Sequence, residues 1–286
     1  MAHSPPPDLT ARPDVVLVTY NSERDLERQV AGRVLDRLCR DVIVVDNGSD
    51  DRSLELANDA GFRTRCLRDN PGYAAAANIG VDMSDSGIVT IMNPDVVLES
   101  AGAVERLLRH FADPRVGLVA PALRLPSGEI QDSARSVPSP HELVARRVAG
   151  SDLGRVDARE PTEVDWVVGA CMFIRREALD AVRGFDARYR FYFEDVDLCV
   201  RLWAAQWSVV YDPTVVLRHE HGAGSRRTVL GWAMRQHVRS AVQFYRRYPR
   251  LLTAAGRRAA RRRWRAGVAA GARERPENLG PVGLLE

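Results

Sequence analysis

A chain of 286 residues, 45% hydrophobic and 28% charged, has the makeup of a soluble globular protein large enough to bury a full α/β core. No run approaches the ~20 apolar residues of a membrane span, and residues 1–14 are Pro-rich and polar, which argues against a secretory signal. The net charge of +3 hides an asymmetry: 15 arginines against three acids from Arg226 onward, and 26 against 35 before it, the balance of an acidic body with a basic tail.

Residues 1–13, with Ser4-Pro5-Pro6-Pro7, read as a disordered lead-in. Residues 14–19 are short, apolar and β-branched, which predicts a buried strand. Ser22 stands where it can cap a following helix, with Asp25 as the acidic member of a capping box. Residues 41–46 predict a second buried strand. Ser49 or Asp50 opens a helix to Ala60, residues 63–67 form a third strand, and residues 72–84 a third helix. Residues 87–92 are a fourth strand ending at Asn93-Pro94-Asp95. Ser100 caps a helix to Ala112, and residues 116–120 return to strand. This alternation predicts βαβ units and a mostly parallel sheet. Prolines and glycines then break the pattern over residues 122–162, a long excursion of the kind that forms lids or acceptor-binding segments. Residues 166–174 rejoin the sheet, 194–207 read as a helix, 208–211 as a short strand, and from Arg227 the pattern is helical and Arg-rich. The division is therefore a lead-in (1–13), an α/β domain (14–225) and a helical extension (226–286). Cys39, Cys66, Cys171 and Cys199 are widely spaced in apolar or helical stretches and read as buried and reduced.

Ligands of open α/β sheets bind beyond the carboxyl ends of the strands. Thr19-Tyr20-Asn21, Asp46-Asn47-Gly48-Ser49 and Asn93-Pro94-Asp95 all fall there. Each alone is an ordinary turn sequence; three in one half-chain point to a shared crevice. Asp95 can anchor a divalent cation bridging two phosphates, because Mg²⁺ takes one or two protein carboxylates and keeps waters and phosphate oxygens. Asp46 and Asn47 suit the hydrogen-bonding edges of a nucleobase or ribose. Residues 70–80 open a helix with very small side chains, so a ligand can approach the backbone, with Gly72 and Asn78 as the contacts; tight helix–sheet packing is the other reading.

In Phe191-Tyr192-Phe193-Glu194-Asp195-Val196-Asp197-Leu198, three aromatics precede three carboxylates at a helix start. An apolar setting raises a carboxylate pKa, aromatics stack on sugar faces, and a weakly nucleophilic hydroxyl needs a general base within reach. Glu194 or Asp195 can face the crevice while Asp197 pairs with Arg201. In His219-Glu220-His221, a neutral imidazole can supply a second ligand to the same cation; a solvated loop is the plain alternative.

Val18-Thr19-Tyr20-Asn21, Val45-Asp46-Asn47-Gly48-Ser49, Asn70-Pro71-Gly72-Tyr73, Asn93-Pro94-Asp95, Gly169-Ala170, Gly184-Phe185-Asp186 and Phe193-Glu194-Asp195-Val196-Asp197-Leu198 occur in an order that resembles glycosyltransferase family 2. Within it they resemble the bacterial rhamnosyltransferase group, over residues 14–225. The resemblance implies a GT-A fold, a Rossmann-like and mostly parallel sheet flanked by helices. It implies an inverting transfer of a sugar, L-rhamnose from dTDP-rhamnose, to a lipid-linked or polysaccharide acceptor in cell-envelope glycan synthesis. The alternatives are a UDP-sugar donor (galactose, glucose or GlcNAc) on the same fold, and an inactive nucleotide-binding partner subunit.

Position by position, Asp95 matches the metal ligand of the family's Asp-x-Asp motif, with Asn93 in first place. Asp46 matches the acid that binds the base, and Thr19 lies by the base pocket, with Tyr20, Asn21, Asn47, Gly72 and Asn78 on the nucleotide side. Gly169 and Ala170 border the donor sugar and acceptor, with Glu194 beside them. Asp195 matches the general base, and His219 or His221 the C-terminal ligand of Mg²⁺ or Mn²⁺. The Arg-rich tail, interspersed with Trp232, Phe244 and Trp264, suits an anionic membrane surface. That places the chain in the cytoplasm, peripheral to the inner face of the membrane, where a polyprenyl-diphosphate-linked acceptor is met. The body carries no nucleic-acid module, and no nucleic-acid partner is expected.

Overall fold

Strands β1 (Asp14–Thr19) and β2 (Asp41–Asp46) are apolar between their ends and buried on both faces. They pair in parallel with Thr19 opposite Asp46. The computed structural model describes residues 12–31, 34–98, 100–143, 153–220 and 232–270. The lead-in to residue 11, His221 and the first arginines of the tail lie outside the described residues.

Around this pair the sheet grows to β3 (Arg63–Cys66) on one side and β4 (Ile88–Met92) on the other, all parallel. Beyond β4 it becomes mixed. β10 (Cys171–Arg175) runs antiparallel between β4 and β6 (Val116–Arg124). β11 (Ser208–His219) then runs parallel to β6, and β5 (Val96–Val97) and β8 (Thr162–Glu163) pair with it antiparallel. The order is β3-β2-β1-β4-β10-β6-β11-β5. A two-stranded ribbon of β7 (Ala134–Arg135) and β9 (Trp166–Val167) stands apart.

The period-two alternation of β1 sorts its side chains onto two cores. Val15 and Leu17 pack with α1 (Glu23–Ala31), α2 (Val34–Leu38) and α5 (Ala101–Arg109). Val16 and Val18 face α4 (Tyr73–Met83). A Cβ at Gly80 would lie 2.2 Å from Val16 Cγ1, so the small side chains of α4 serve close packing on the sheet. The second core continues through α6 (Arg176–Val182) and α7 (Glu194–Ala204) into α8 (Trp232–Arg247), a 3₁₀ turn (Pro249–Leu252) and α9 (Ala254–Ala270). Trp203 and Trp264 stack at 6.3 Å, and Arg261 binds Asp165 at 2.5 Å. The helices beyond residue 226 therefore share the core of the α/β body instead of forming a separate unit.

Several local expectations change. Ser100 does cap α5, accepting from Ala103 N at 3.2 Å. The Ser22 hydroxyl instead bonds the backbone of Tyr20, and only its carbonyl starts α1. Helix α3 (Ser53–Asp59) begins later than Ser49, because residues 46–52 make an ordered turn. Cys66 is exposed since β3 is the sheet's edge, whereas Cys39, Cys171 and Cys199 are buried; none of the four is joined in a disulfide. The run 166–174 splits into β9 and β10 at Val168-Gly169-Ala170. β11 runs on past Tyr211 through a register shift at Pro213, ending at His219.

Candidate active site

Thr19, Asp46 and the Asn93-Pro94-Asp95 turn stand at or just beyond the carboxyl ends of β1, β2 and β4. On the nucleotide side, Asp46 is buried and fully engaged. Its Oδ1 accepts from Gly48 N (3.1 Å) and Ser49 N (2.9 Å), and its Oδ2 from Thr19 Oγ1 (2.9 Å) and Ser49 Oγ (2.5 Å). Four bonds fill a carboxylate's capacity, so Asp46 shapes the turn and holds no open acceptor for a base. Gly48, at φ +82°, completes that turn; a Cβ there would meet Leu67 O at 2.7 Å. Asn21 bridges to the same turn, its N donating to Ser49 Oγ and its Oδ1 accepting from Asp50 N, both at 2.9 Å. Asn47 Oδ1 is buried and has no hydrogen-bond partner among the described residues. Tyr20 stands exposed at the rim.

Asn93-Pro94-Asp95 is clamped from three sides. Gln29 of α1, buried, donates through Nε2 to Pro94 O (2.8 Å) and Val96 O (2.6 Å). Asn93 N donates to Ala170 O (2.9 Å), and Glu220 N to Asp95 O (2.8 Å). The long β11, pairing His219 with Val96 of β5, brings His219 Nε2 to 3.2 Å from Asp95 Oδ2. On its other side, His219 Nδ1 lies 2.6 Å from Gln131 Oε1. With Oε1 as the acceptor, Nδ1 is the donor of this pair, and Nε2 is the ring nitrogen turned to Asp95. Two acceptors facing each other need a proton or a cation between them. Among the described residues no group of three or more His, Cys, Asp or Glu gathers at one point. One carboxylate and one imidazole nonetheless suit a divalent ion that takes its remaining ligands from phosphate and water.

The acceptor side follows from the break between β9 and β10. Gly169 N donates to Asp195 Oδ2 at 3.0 Å, and Tyr73 Oη donates to Gly169 O at 3.0 Å. Through Ala170 O and Asn93 N, this loop joins the Asp95 turn to Asp195. Asp195 Oδ1 also accepts from Val196 N at 2.8 Å. Glu194, beside it, has an Oε2 that is sheltered and unpartnered. Burial, with Asp195's charge adding to it, pushes its carboxyl up to about 8. Burial and these two carboxylates also hold the Tyr73 phenol well above its usual range, so it stays a donor.

The two carboxylates are aimed by unusual backbone. Tyr192 and Phe193 both have φ near +68°, a conformation bulky side chains rarely adopt. Packing holds them there: Phe193 against Phe244 (5.3 Å) and His237 (5.5 Å), and Phe191 O accepting from Ser240 Oγ at 2.9 Å. Asp197 pairs with Arg201 at 2.6 Å, as the spacing predicts, and also accepts from Tyr248 Oη at 2.9 Å. Strained backbone concentrates at functional sites.

Two expected nucleotide contacts are used elsewhere. Asn78 exchanges both its amide groups with the Phe185 backbone at 2.8 Å, bracing α4 against the Gly184-Phe185-Asp186 loop. Gly72, at φ +102°, lets the Arg190 backbone pass, where a Cβ would meet Arg190 O at 2.6 Å. His221 lies outside the described residues. Gln29 and Gln131 are the site residues that sequence reading missed, because a lone amide in a helix or a loop carries no motif.

The overall architecture resembles a mannosyltransferase from Pyrobaculum calidifontis solved with GDP-Man and Mn²⁺. The TM-score is 0.57 at 20% identity, covering 93% of this chain and 76% of that one. The architecture is that of the GT-A fold. Residues 14–183 match glycosyl transferase family 2, and the chain belongs to that family. An N-acetylglucosaminyl-diphospho-decaprenol L-rhamnosyltransferase of Mycobacterium tuberculosis is 35% identical over 237 residues, 73% of this chain and 77% of the relative. The rhamnosyltransferase WbbL of Escherichia coli is 25% identical, over 57% of this chain and 63% of its own length.

Proposed function

We propose that this chain transfers L-rhamnose from dTDP-rhamnose to a lipid-linked acceptor, with inversion at the anomeric carbon. The observation that carries the chemistry is the Asp195 carboxylate, fixed by Gly169 N–H and joined through one loop to the Asp95–His219 pair. Asp195 takes the acceptor hydroxyl proton as that oxygen attacks the anomeric carbon. The bond from this carbon to the diphosphate breaks on the opposite face, and the nucleoside diphosphate leaves. Glu194, protonated at neutral pH, adds no second charge and can donate a hydrogen bond to a sugar oxygen. Asn47 Oδ1 is placed to accept from the base, and Asp46 and Thr19 keep it in position. Asp95 and His219 would hold Mg²⁺ or Mn²⁺, which supplies charge neutralisation for the leaving diphosphate. The similarity to the mycobacterial relative supports the donor and the lipid-borne acceptor. The exposed arginines of α8 and α9 support a membrane-facing position; among the described residues no helix is long and apolar enough to cross a membrane.

The experiment is a thermal-shift series of the full chain with Mn²⁺ or Mg²⁺ and dTDP, dTDP-rhamnose, UDP and UDP-sugars. A ligand at 100 times its Kd stabilises by ~2.7 kcal/mol. Cation-dependent stabilisation by dTDP-rhamnose above the UDP series is the expected result. Preference for one UDP-sugar replaces the donor, and no response to any nucleotide overturns the reading.

A further inference from the structure

We propose that the hollow between the Arg188-Tyr189 loop and α8 binds a phosphate or diphosphate group carried on a lipid. The hollow is about 640 Å³, and none of the Asp95, His219 or Asp195 side chains lines it. Arg188 and Tyr189 form one wall. Arg239, Gln243, Arg246 and Arg247, within two turns of α8, form the other. Arg188 and Arg247 are neutralised in part, because both pair with Asp186 and Arg247 also lies 3.4 Å from Asp197. Arg239 and Arg246 are exposed and make no ion pair with any described residue.

The second observation is independent of charge. Three hydrogen-bonding groups on these walls are sheltered from solvent and lack a partner: the Tyr189 hydroxyl, Gln243 Nε2 and Arg247 Nε. Tyr189 itself is 1% exposed. Leaving such groups unsatisfied is costly, and they recur where a ligand supplies the missing partner. All three can donate. A single anion with several acceptor oxygens, facing guanidinium groups, answers all of them, and phosphate has that chemistry.

The rim states what the phosphate is attached to. Val242 lies between Arg239 and Arg246 on the same helix face and is 47% exposed; Val238, one turn earlier, is 53% exposed. Apolar side chains interleaved with unpaired arginines match the boundary of headgroup and hydrocarbon. The shared chemistry, a lipid phosphate, has two sources: the diphosphate of the acceptor, which rests on the proposed function, or a phospholipid headgroup.

The test is co-sedimentation of the full chain with vesicles of phosphatidylcholine alone, with phosphatidylglycerol, or with a polyprenyl diphosphate at matched charge. The variants are Arg239→Ala/Arg246→Ala and, as a charge-matched control, Arg262→Ala/Arg265→Ala on the exposed face of α9. Equal melting temperatures check that both pairs fold. Wild type should bind both anionic vesicles, with pyrophosphate competing. The first pair should bind at least roughly 30-fold more weakly, and the control, which loses only general surface attraction, clearly less so. A larger loss on the diphosphate vesicles assigns the acceptor as the source, and an equal loss on both assigns the headgroup. Equal weakening by the two pairs, or none by the first, overturns the site. The donor thermal shift is measured on the same variants. Its absence in wild type overturns the proposed donor, whereas the vesicle result judges this hollow alone.

Discussion

Glu194 and Asp195 are neighbours in sequence with opposite surroundings. Asp195 accepts two backbone N–H groups, while Glu194 keeps an unpartnered oxygen in a sheltered place. Asp195→Asn keeps the shape but removes the base, so turnover should fall by roughly 10²–10⁴-fold while the donor thermal shift persists; a native rate would refute the assignment. For Glu194 the sign follows from linkage. The unfolded chain releases this proton near 4.5 and the folded chain near 8, so the folded state holds more protons in between. Stability therefore falls as pH rises through that window and levels off above it. Glu194→Gln removes this penalty. Its melting temperature should match wild type near pH 4.5 and exceed it increasingly toward pH 8, in unfolding curves across that range. The Glu-Asp pair and Asp95 stand out in sequence as candidates because a motif names them. Asn78 was misread because its amide partners, the Phe185 N–H and carbonyl, are 107 residues away. No local pattern reveals such a partner.

At the scale of elements, the carboxylates of the candidate site depend on helices that sequence assigns to a tail. Helix α7 carries Glu194 and Asp195, and its far end carries Trp203, stacked on Trp264 of α9. Trp264 is 3% exposed, so Trp264→Ala should cost about 3–5 kcal/mol. In chemical denaturation, the loss should appear as one transition of the whole chain. A separate early transition, with the α/β body keeping wild-type stability, would mean that α9 is an independent appendage. Strands β1, β2 and β4 were legible because each is a largely apolar run closed by polar residues, whereas β3, Arg63-Thr64-Arg65-Cys66, is a polar edge strand. The break at Val168-Gly169-Ala170 was not, since both flanks are equally apolar. The extension of β11 was masked by Pro213, which marks a strand end unless a bulge absorbs it, as it does here. That extension delivers His219 to Asp95, so one of the two proposed cation ligands was hidden in a strand boundary.

For the whole molecule, charge separates two kinds of binding. The crevice gathers Asp95, Glu194 and Asp195, while Arg239, Arg246, Arg258, Arg262, Arg263 and Arg265 are exposed on α8 and α9. Sequence showed this imbalance and divided the helical extension (226–286) from the α/β domain. The structure turns one face of α9, Ala260, Trp264 and Val268, into the core and leaves Arg258, Arg262, Arg263 and Arg265 outward. Attraction between exposed arginines and an anionic membrane acts across water and is screened by salt, whose Debye length shrinks from ~10 Å at 0.1 M to ~3 Å at 1 M. Coordination of a nucleotide diphosphate through a cation acts at direct contact, in a sheltered crevice, and is screened far less. Raising NaCl from about 0.05 to about 0.5 M should therefore release most of the chain from phosphatidylglycerol vesicles, while the cation-dependent donor shift stays nearly unchanged. Parallel loss of both would place the arginines in the donor site. Salt-resistant vesicle binding would mean that apolar insertion, led by Val238 and Val242, outweighs charge.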